Sequence, residues 1–172
     1  MSNKEFKIPK LVLSDIDGVW TDGGMYYDQK GNEQKKFHTY DSAGVLLCKN
    51  FNIPVGIITG ENTKIVENRI NKLNIEFLYQ GISNKVEIAI KLCKKLNINL
   101  EDIAYIGDDI NDLHLLKKVG ISAAPSNAPD YVKKEVDFVM NKAGGEGVFR
   151  EFVEFIFEKN NLFQDIYKAY KI

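Results

Sequence analysis

Residues 11–18, Leu-Val-Leu-Ser-Asp-Ile-Asp-Gly, form an apolar run that ends abruptly in two carboxylates and a glycine. Alternate side chains of a strand share a face, so Asp15 and Asp17 would lie on one side of the chain. Gly18 predicts a turn that brings both carboxylates to the end of the strand. Two acids this close repel each other, and a hard divalent cation with oxygen ligands is the natural candidate to sit between them.

The composition predicts one domain without a nucleic-acid or membrane partner. A chain of 172 residues is long enough for one substantial core and too short for two. Its 23 basic and 24 acidic residues give a net charge of −1, which argues against binding to nucleic acids. No apolar run is as long as a membrane span, which needs about 18 residues, and residues 1–7 lack the apolar core of a signal peptide. Cys48 and Cys93 fall at apolar helical positions, which predicts buried free thiols and a cytoplasmic location.

Short β-branched runs alternate with longer stretches of helical periodicity. Strands are predicted at residues 10–14, 53–59, 76–79, 103–107, 121–124 and 136–140, and helices at 62–73, 84–96, 111–119 and 129–136. This alternation predicts an α/β fold, a Rossmann-like, doubly wound parallel sheet with helices on both faces. The whole chain, 1–172, is predicted to be one domain.

One segment departs from the alternation. Residues 24–28 and 33–39 flank Gln29-Lys30-Gly31-Asn32, which predicts a β-hairpin inserted after the first strand at about 23–39. The intervals on either side of the second strand are too short for a cap domain. A glycine-rich segment, 143–147, opens a C-terminal tail at about 143–172 that continues into apolar helical patterns.

Polar residues recur where the predicted strands end. Asp15 and Asp17 follow the first strand, Thr59 ends the second, Lys85 opens the helix after the third, and Asp108, Asp109 and Asp112 follow the fourth. Parallel strands bring such residues to one rim of a sheet. Each residue also has a structural interpretation: Thr59 as a helix cap, Lys85 as a solvated side chain, and 108–112 as a capped loop. Their recurrence in this order favours a shared site.

These residues resemble the four motifs of the haloacid dehalogenase superfamily of phosphotransferases. The motifs are Asp15-x-Asp17, the strand-terminal Thr59, Lys85, and Gly107-Asp108-Asp109-x-x-Asp112. The frame Asp-Ile-Asp-Gly-Val-Trp-Thr-Asp-Gly at 15–23 and the tail Ala-Gly-Gly-Glu-Gly-Val-Phe-Arg-Glu at 143–151 are similar to a narrower branch. That branch contains the cap-less phosphatases of 3-deoxy-manno-octulosonate 8-phosphate and of nine-carbon keto-sugar acid 9-phosphates.

The resemblance implies Mg²⁺-dependent hydrolysis of a phosphate monoester through an aspartyl-phosphate. Asp15 would be the nucleophile, and Asp17 would protonate the leaving alkoxide and then deprotonate water. Thr59 would donate to a phosphoryl oxygen, and Lys85 would neutralise charge. The implied metal ligands are the carboxylates of Asp15 and Asp108 and the backbone carbonyl of Asp17, with Asp109 and Asp112 as anchors behind them.

An uncapped site needs walls from another source, either a macromolecular substrate or a second subunit. The resemblance favours a homotetramer with packed hairpins, in which the tail of one subunit reaches the site of its neighbour. The expected contacts to a small sugar-acid phosphate are Thr39, Glu61, Arg69, Lys72 and, from a neighbour, Arg150.

Two substrates compete within this branch. Glu61 stands where the octulosonate phosphatases carry Arg, whereas Glu61 with Lys72 resembles the nonulosonate phosphatases. We therefore predict a nine-carbon 9-phosphate of the KDN or N-acylneuraminate type, as in sialic acid biosynthesis, with 3-deoxy-manno-octulosonate 8-phosphate as the alternative. A non-catalytic regulatory domain and a protein phosphatase are the remaining alternatives.

Overall fold

The computed structural model describes residues 6–170, with side chains up to residue 168. Residues 1–5, 171 and 172 lie outside the described residues; they belong to the predicted domain 1–172, and residues 1–5 belong to the N-terminal segment that was predicted not to be a signal peptide. The strands are β1 (Leu11–Ser14), β2 (Tyr26–Tyr27), β3 (Glu33–Gln34), β4 (Val55–Ile58), β5 (Phe77–Tyr79), β6 (Ile103–Ile106), β7 (Ile121–Ala124) and β8 (Phe138–Val139). Six of them form a parallel sheet in the order β5-β4-β1-β6-β7-β8, while β2 and β3 form the antiparallel hairpin. The predicted α/β fold with a hairpin insertion is confirmed, and no cap domain is seen in residues 6–170.

The middle of the sheet is the point at which the strand order reverses. From β1 the chain proceeds to β4 and β5 on one side, then returns to β6 and continues to β8 on the other. Ser14, the last residue of β1, lies in register with Ile57 of β4 and with Ile106 of β6. The carboxyl ends of these three strands are therefore level, and ligands of open α/β sheets bind at such a reversal.

Seven α-helices cover the two faces of the sheet in the described part of the chain. They are α1 (Asp41–Asn50), α2 (Lys64–Leu73), α3 (Lys85–Leu96), α4 (Leu113–Leu116), α5 (Asp130–Lys133), α6 (Val148–Lys159) and α7 (Phe163–Tyr170). Four match the helices predicted before the tail, whereas α1 had no predicted bounds. Thr63 and Asn84 are the N-caps of α2 and α3. Their side chains accept hydrogen bonds from the backbone N–H groups of Val66 and Glu87.

Apolar residues of the central strands alternate between two cores. Val12 of β1 belongs to the core that contains Trp20 and Phe149, whose rings stack 4.6 Å apart. Leu11 and Leu13 belong to the core on the other face, with α3 and α4. Burial of both faces explains why the strands are continuous apolar runs. None of the helices in residues 6–170 is long and apolar enough to cross a membrane.

The tail packs onto its own chain. The apolar face of α6, which includes Phe149 and Phe152, is fully buried, and Ile166 of α7 is buried in the same core. A Cβ on Gly144 would overlap the carbonyl of Gly18, so the glycine-rich segment allows a close approach to the loop after β1.

Candidate active site

Asp15 directly follows β1 and is held at the carboxyl edge of the sheet. Its backbone N–H donates to the carbonyl of Ile106 at 3.0 Å, and its Oδ1 accepts the N–H of Ile16 at 2.7 Å. Only 4% of the residue is exposed. Burial and the charge of Asp112 raise the pKa of Asp15 to about 7, against the attraction of Lys85.

Lys85 enters this acidic site from the first turn of α3, and it is buried rather than solvated. Its Nζ lies 2.9 Å from Asp15 Oδ2 and 2.6 Å from Asp112 Oδ1. Although burial disfavours the charged form, attraction to both carboxylates raises the pKa of Lys85, so the side chain is an ammonium. Tyr105 completes the network by donating its hydroxyl to Asp112 Oδ1.

Asp112 supports the loop that carries Asp108 and Asp109. Its Oδ2 accepts the backbone N–H groups of Asp108 at 2.9 Å and of Asp109 at 3.1 Å, while its Oδ1 takes the hydrogen bonds of Lys85 and Tyr105. Both oxygens of this fully buried carboxylate are thus engaged. Asp109 is exposed, and its Oδ1 caps the following 3₁₀ turn at Ile110 and accepts the Tyr131 hydroxyl.

The acidic cluster has the chemistry of a divalent cation site. Oxygens of Asp15, Asp108 and Asp112 lie within 4.8 Å of one another. Burial and the charges of Asp15 and Asp112 raise the pKa of Asp108 to about 8, and its buried Oδ1 has no hydrogen-bond partner among residues 6–170. One ammonium, Lys85, faces three carboxylates. A hard cation bound by oxygen ligands would offset the remaining negative charge.

Gly18 leaves room for this arrangement. The residue has a φ of +80°, and a Cβ there would overlap the carboxylate of Asp108. The motif therefore requires glycine for its backbone conformation and for the space beside Asp108.

Asp17 and Thr59 line the same cleft, which has a volume of about 280 Å³. Asp17 Oδ1 accepts the Thr21 hydroxyl at 3.1 Å, whereas its buried Oδ2 has no partner in the described part of the chain. Thr59 is buried at the end of β4 and does not cap α2, because Thr63 does so. The cleft is open to solvent and is lined in addition by Asp15, Gly18, Gly23, Gly60, Glu61, Asp108, Asp109 and Asn111.

The predicted substrate contacts are divided between the cleft and the surface around it. Glu61 is part of the cleft wall. Arg69 instead donates to the carbonyl of His38 at 3.3 Å, and Arg150 pairs with Glu154 at 2.7 Å. Thr39 and Lys72 are exposed outside the cleft wall. Contacts of these four residues with a substrate stay predictions.

Lys35 and Tyr105 contact candidate site residues, and neither was predicted from the sequence. Lys35 follows β3 and joins Asp17 to Glu61 through its ammonium group. Tyr105 lies within β6, where its place in an apolar run conceals the hydroxyl. A lysine in an apparently exposed hairpin carries no local signal of a buried partner, so only the folded chain identifies it.

Comparisons with known proteins place the chain in a family of hydrolases and find phosphatases among its relatives. Residues 61–152 match the haloacid dehalogenase-like hydrolase family. The chain is 38% identical over 149 residues to the 3-deoxy-D-manno-octulosonate 8-phosphate phosphatase KdsC of Haemophilus influenzae, covering 87% of this chain and 83% of that protein.

Solved structures share the same architecture. A probable YrbI family phosphatase of Pseudomonas syringae superposes with a TM-score of 0.92 at 36% identity, covering 96% of this chain and 94% of that one. The 3-deoxy-D-manno-octulosonate 8-phosphate phosphatase of Moraxella catarrhalis, solved with magnesium, phosphate and KDO, superposes with a TM-score of 0.90 at 34% identity, covering 95% and 94%. The chain therefore belongs to the haloacid dehalogenase-like hydrolases, in their cap-less branch of phosphoric monoester hydrolases.

Proposed function

We propose that this protein is a Mg²⁺-dependent phosphatase of a keto-deoxy sugar acid, with 3-deoxy-manno-octulosonate 8-phosphate as its substrate. The observation that carries the proposal is the cluster of Asp15, Asp108 and Lys85 at the strand-order reversal, in a chain 38% identical to an octulosonate 8-phosphate phosphatase. The name of that relative supports the eight-carbon substrate over the nine-carbon acid expected from Glu61.

Four side chains at and behind the cleft have roles in a two-step displacement. A carboxylate oxygen of Asp15 attacks phosphorus to form an aspartyl-phosphate, and the bond between phosphorus and the leaving oxygen breaks. Asp17 gives its proton to that oxygen and later takes one from the water that hydrolyses the aspartyl-phosphate. Thr59 donates a hydrogen bond to a phosphoryl oxygen, while Lys85 offsets the charge that accumulates between Asp15 and the phosphate.

The carboxylates of Asp15 and Asp108 and the backbone carbonyl of Asp17 would hold Mg²⁺. The ion supplies the positive charge that lets an anionic carboxylate approach an anionic phosphate. Asp112 fixes the backbone of Asp108 and Asp109, so the ligand loop is held before the ion binds.

The protein assembles as a homotetramer whose neighbouring subunits supply the missing walls. Met25, Tyr26 and Tyr27 of the hairpin are 54%, 44% and 60% exposed, and an exposed apolar patch of this kind is typical of an interface. Arg150 enters the site of a neighbour, where its guanidinium pairs with the substrate carboxylate. Thr39, Arg69 and Lys72 complete the walls, and a cytoplasmic location stays a prediction.

A nine-carbon nonulosonate 9-phosphate is the second candidate because of one observation. Glu61 places a carboxylate in the cleft wall, and its side chain is 41% exposed. A carboxylate at this place can accept hydrogen bonds from the additional hydroxyl groups of a longer sugar acid.

Phosphate release from a panel of esters tests both candidates. The panel holds octulosonate 8-phosphate, N-acetylneuraminate 9-phosphate, KDN 9-phosphate, a phosphopeptide and p-nitrophenyl phosphate, each with Mg²⁺ or with excess chelator. We expect the highest kcat/KM on octulosonate 8-phosphate and reversible loss of turnover in chelator. Asp15→Asn should lower kcat by about 10³-fold or more. The matched control is Asp130→Asn, which should leave kcat unchanged because the Asp130 side chain is 83% exposed on the surface. Undiminished hydrolysis in chelator, or a higher kcat/KM on another ester, would contradict the proposal.

A further inference from the structure

Lys35 is a buried cation between two functional carboxylates that come from different parts of the chain. Its Nζ lies 2.6 Å from Asp17 Oδ1 and 2.7 Å from Glu61 Oε2, and 3.6 Å from Glu33 Oε1. Only 2% of the side chain is exposed. A lysine on the arm of a surface hairpin gives up most of its hydration in this position, and the carboxylates replace it.

The contact makes the two oxygens of Asp17 inequivalent. Oδ1 accepts hydrogen bonds from Lys35 and from the Thr21 hydroxyl, which fix the orientation of the carboxylate. Oδ2 is buried and has no hydrogen-bond partner among residues 6–170. Since Oδ1 already accepts two hydrogen bonds, Oδ2 is the oxygen that remains available for a hydrogen bond with an ester oxygen.

The same ammonium joins Asp17 to the wall of the cleft. Lys35 holds Oε2 of Glu61, and Glu61 follows β4 by three residues while Asp17 follows β1 by three. The hairpin therefore connects the proposed general acid with a second residue of the cleft wall. No other described residue donates to both carboxylates.

We propose that Lys35 is a positioning residue that orients Asp17 for protonation of the leaving alkoxide. The inference rests on the proposed function and adds a residue outside the four motifs. The step is the transfer of the Asp17 Oδ2 proton to the ester oxygen as the bond from that oxygen to phosphorus breaks. A sugar alkoxide needs this proton, whereas p-nitrophenolate leaves without it, so the two kinds of ester depend differently on Lys35.

The experiment compares Lys35→Met with Lys36→Met on three substrates: octulosonate 8-phosphate, ethyl phosphate and p-nitrophenyl phosphate. Lys36 is the adjacent residue, and its side chain is 61% exposed beside Asp22, so it controls for loss of a hairpin charge. For Lys35→Met we expect kcat on octulosonate 8-phosphate to fall by about 10²-fold, the lower range for general acid catalysis, and kcat on p-nitrophenyl phosphate to change less than about threefold. Lys36→Met should match the wild type on all three esters.

A loss that also occurs on ethyl phosphate, which needs the proton but has no sugar to contact Glu61, and that spares p-nitrophenyl phosphate distinguishes positioning of Asp17 from a purely structural role and from loss of a Glu61 contact. An equal fall of kcat on all three esters, or an unchanged kcat on octulosonate 8-phosphate or on ethyl phosphate, overturns the proposal. If Lys35→Met does not fold, Lys35→Ala also removes the donor and allows the same comparison against Lys36→Ala. A wild type that hydrolyses none of these esters refutes the proposed function instead, so the two failures are separable.

Discussion

Substituting alanine for Gly18, in comparison with the same change at Gly31, separates the cost of backbone strain from the effect of a collision with Asp108. Gly18 has a φ of +80°, and a Cβ there would overlap Asp108 Oδ2 and lie 2.8 Å from its Oδ1. Gly31, in the hairpin turn, has the same φ of +80° and no atom within 4 Å of the position of a Cβ. Gly18→Ala and Gly31→Ala thus share the backbone penalty, and only the first disturbs the site.

The expected magnitudes follow from this difference. A left-handed alanine costs about 1–2 kcal/mol, so both variants should lose about that much free energy of unfolding. In Gly18→Ala the Asp108 carboxylate must also turn away. Its Oδ1 has no hydrogen-bond partner among the described residues, so the movement breaks no bond at that oxygen but displaces a proposed Mg²⁺ ligand. We expect at least about a tenfold rise in the Kd for Mg²⁺, which equals about 1.4 kcal/mol.

Two measurements test this difference between the variants: urea unfolding in chelator and calorimetric titration with Mg²⁺. Both variants should show similar losses of stability, and only Gly18→Ala should bind Mg²⁺ more weakly. Wild-type Mg²⁺ affinity in Gly18→Ala would refute the assignment of Asp108 as a ligand. Equal weakening in Gly31→Ala would refute the collision as the cause.

Three further predictions concern other parts of the molecule. Lys85→Met should lower the free energy of unfolding in chelator by about 3 kcal/mol, because it removes a buried cation from two carboxylates; unchanged urea unfolding would contradict this. Burial raises the pKa of Asp41 from 3.8 to about 6, so its ionised form destabilises the fold as pH rises through 6. When the pH is lowered from 7.5 to 4 with Mg²⁺ present, protonation of Asp41 should add up to about 3 kcal/mol to the free energy of thermal unfolding of the wild type, a gain that Asp41→Asn lacks. An identical pH dependence of the two proteins would contradict this. Arg150→Ala should lower kcat/KM for octulosonate 8-phosphate by about tenfold or more while sparing p-nitrophenyl phosphate, and an unchanged ratio would exclude a carboxylate contact.

Much of the architecture was predictable because buried parallel strands have a local signature. Residues 11–13 are apolar on both faces of β1, and all six parallel strands appear within two residues of their predicted bounds. The carboxylates and Thr59 stand directly after such runs, so their place at one edge of the sheet follows from parallel pairing alone. The helix α1 received no predicted bounds because its apolar periodicity is weak, with Gly44 and Ser42 among its first residues.

The local sequence thus determined the sheet, the hairpin and the edge at which the acidic residues meet, because periodicity and strand ends are properties of neighbouring residues. Which of these side chains are partners is visible only in the folded chain. Lys35 reaches Asp17 and Glu61 across 18 and 26 residues, and Asp41 accepts the backbone N–H of Arg150 across 109. Such contacts depend on how the hairpin and the tail fold back over the sheet. A buried charge finds its partner in space, and nothing in its immediate sequence records which residue that is.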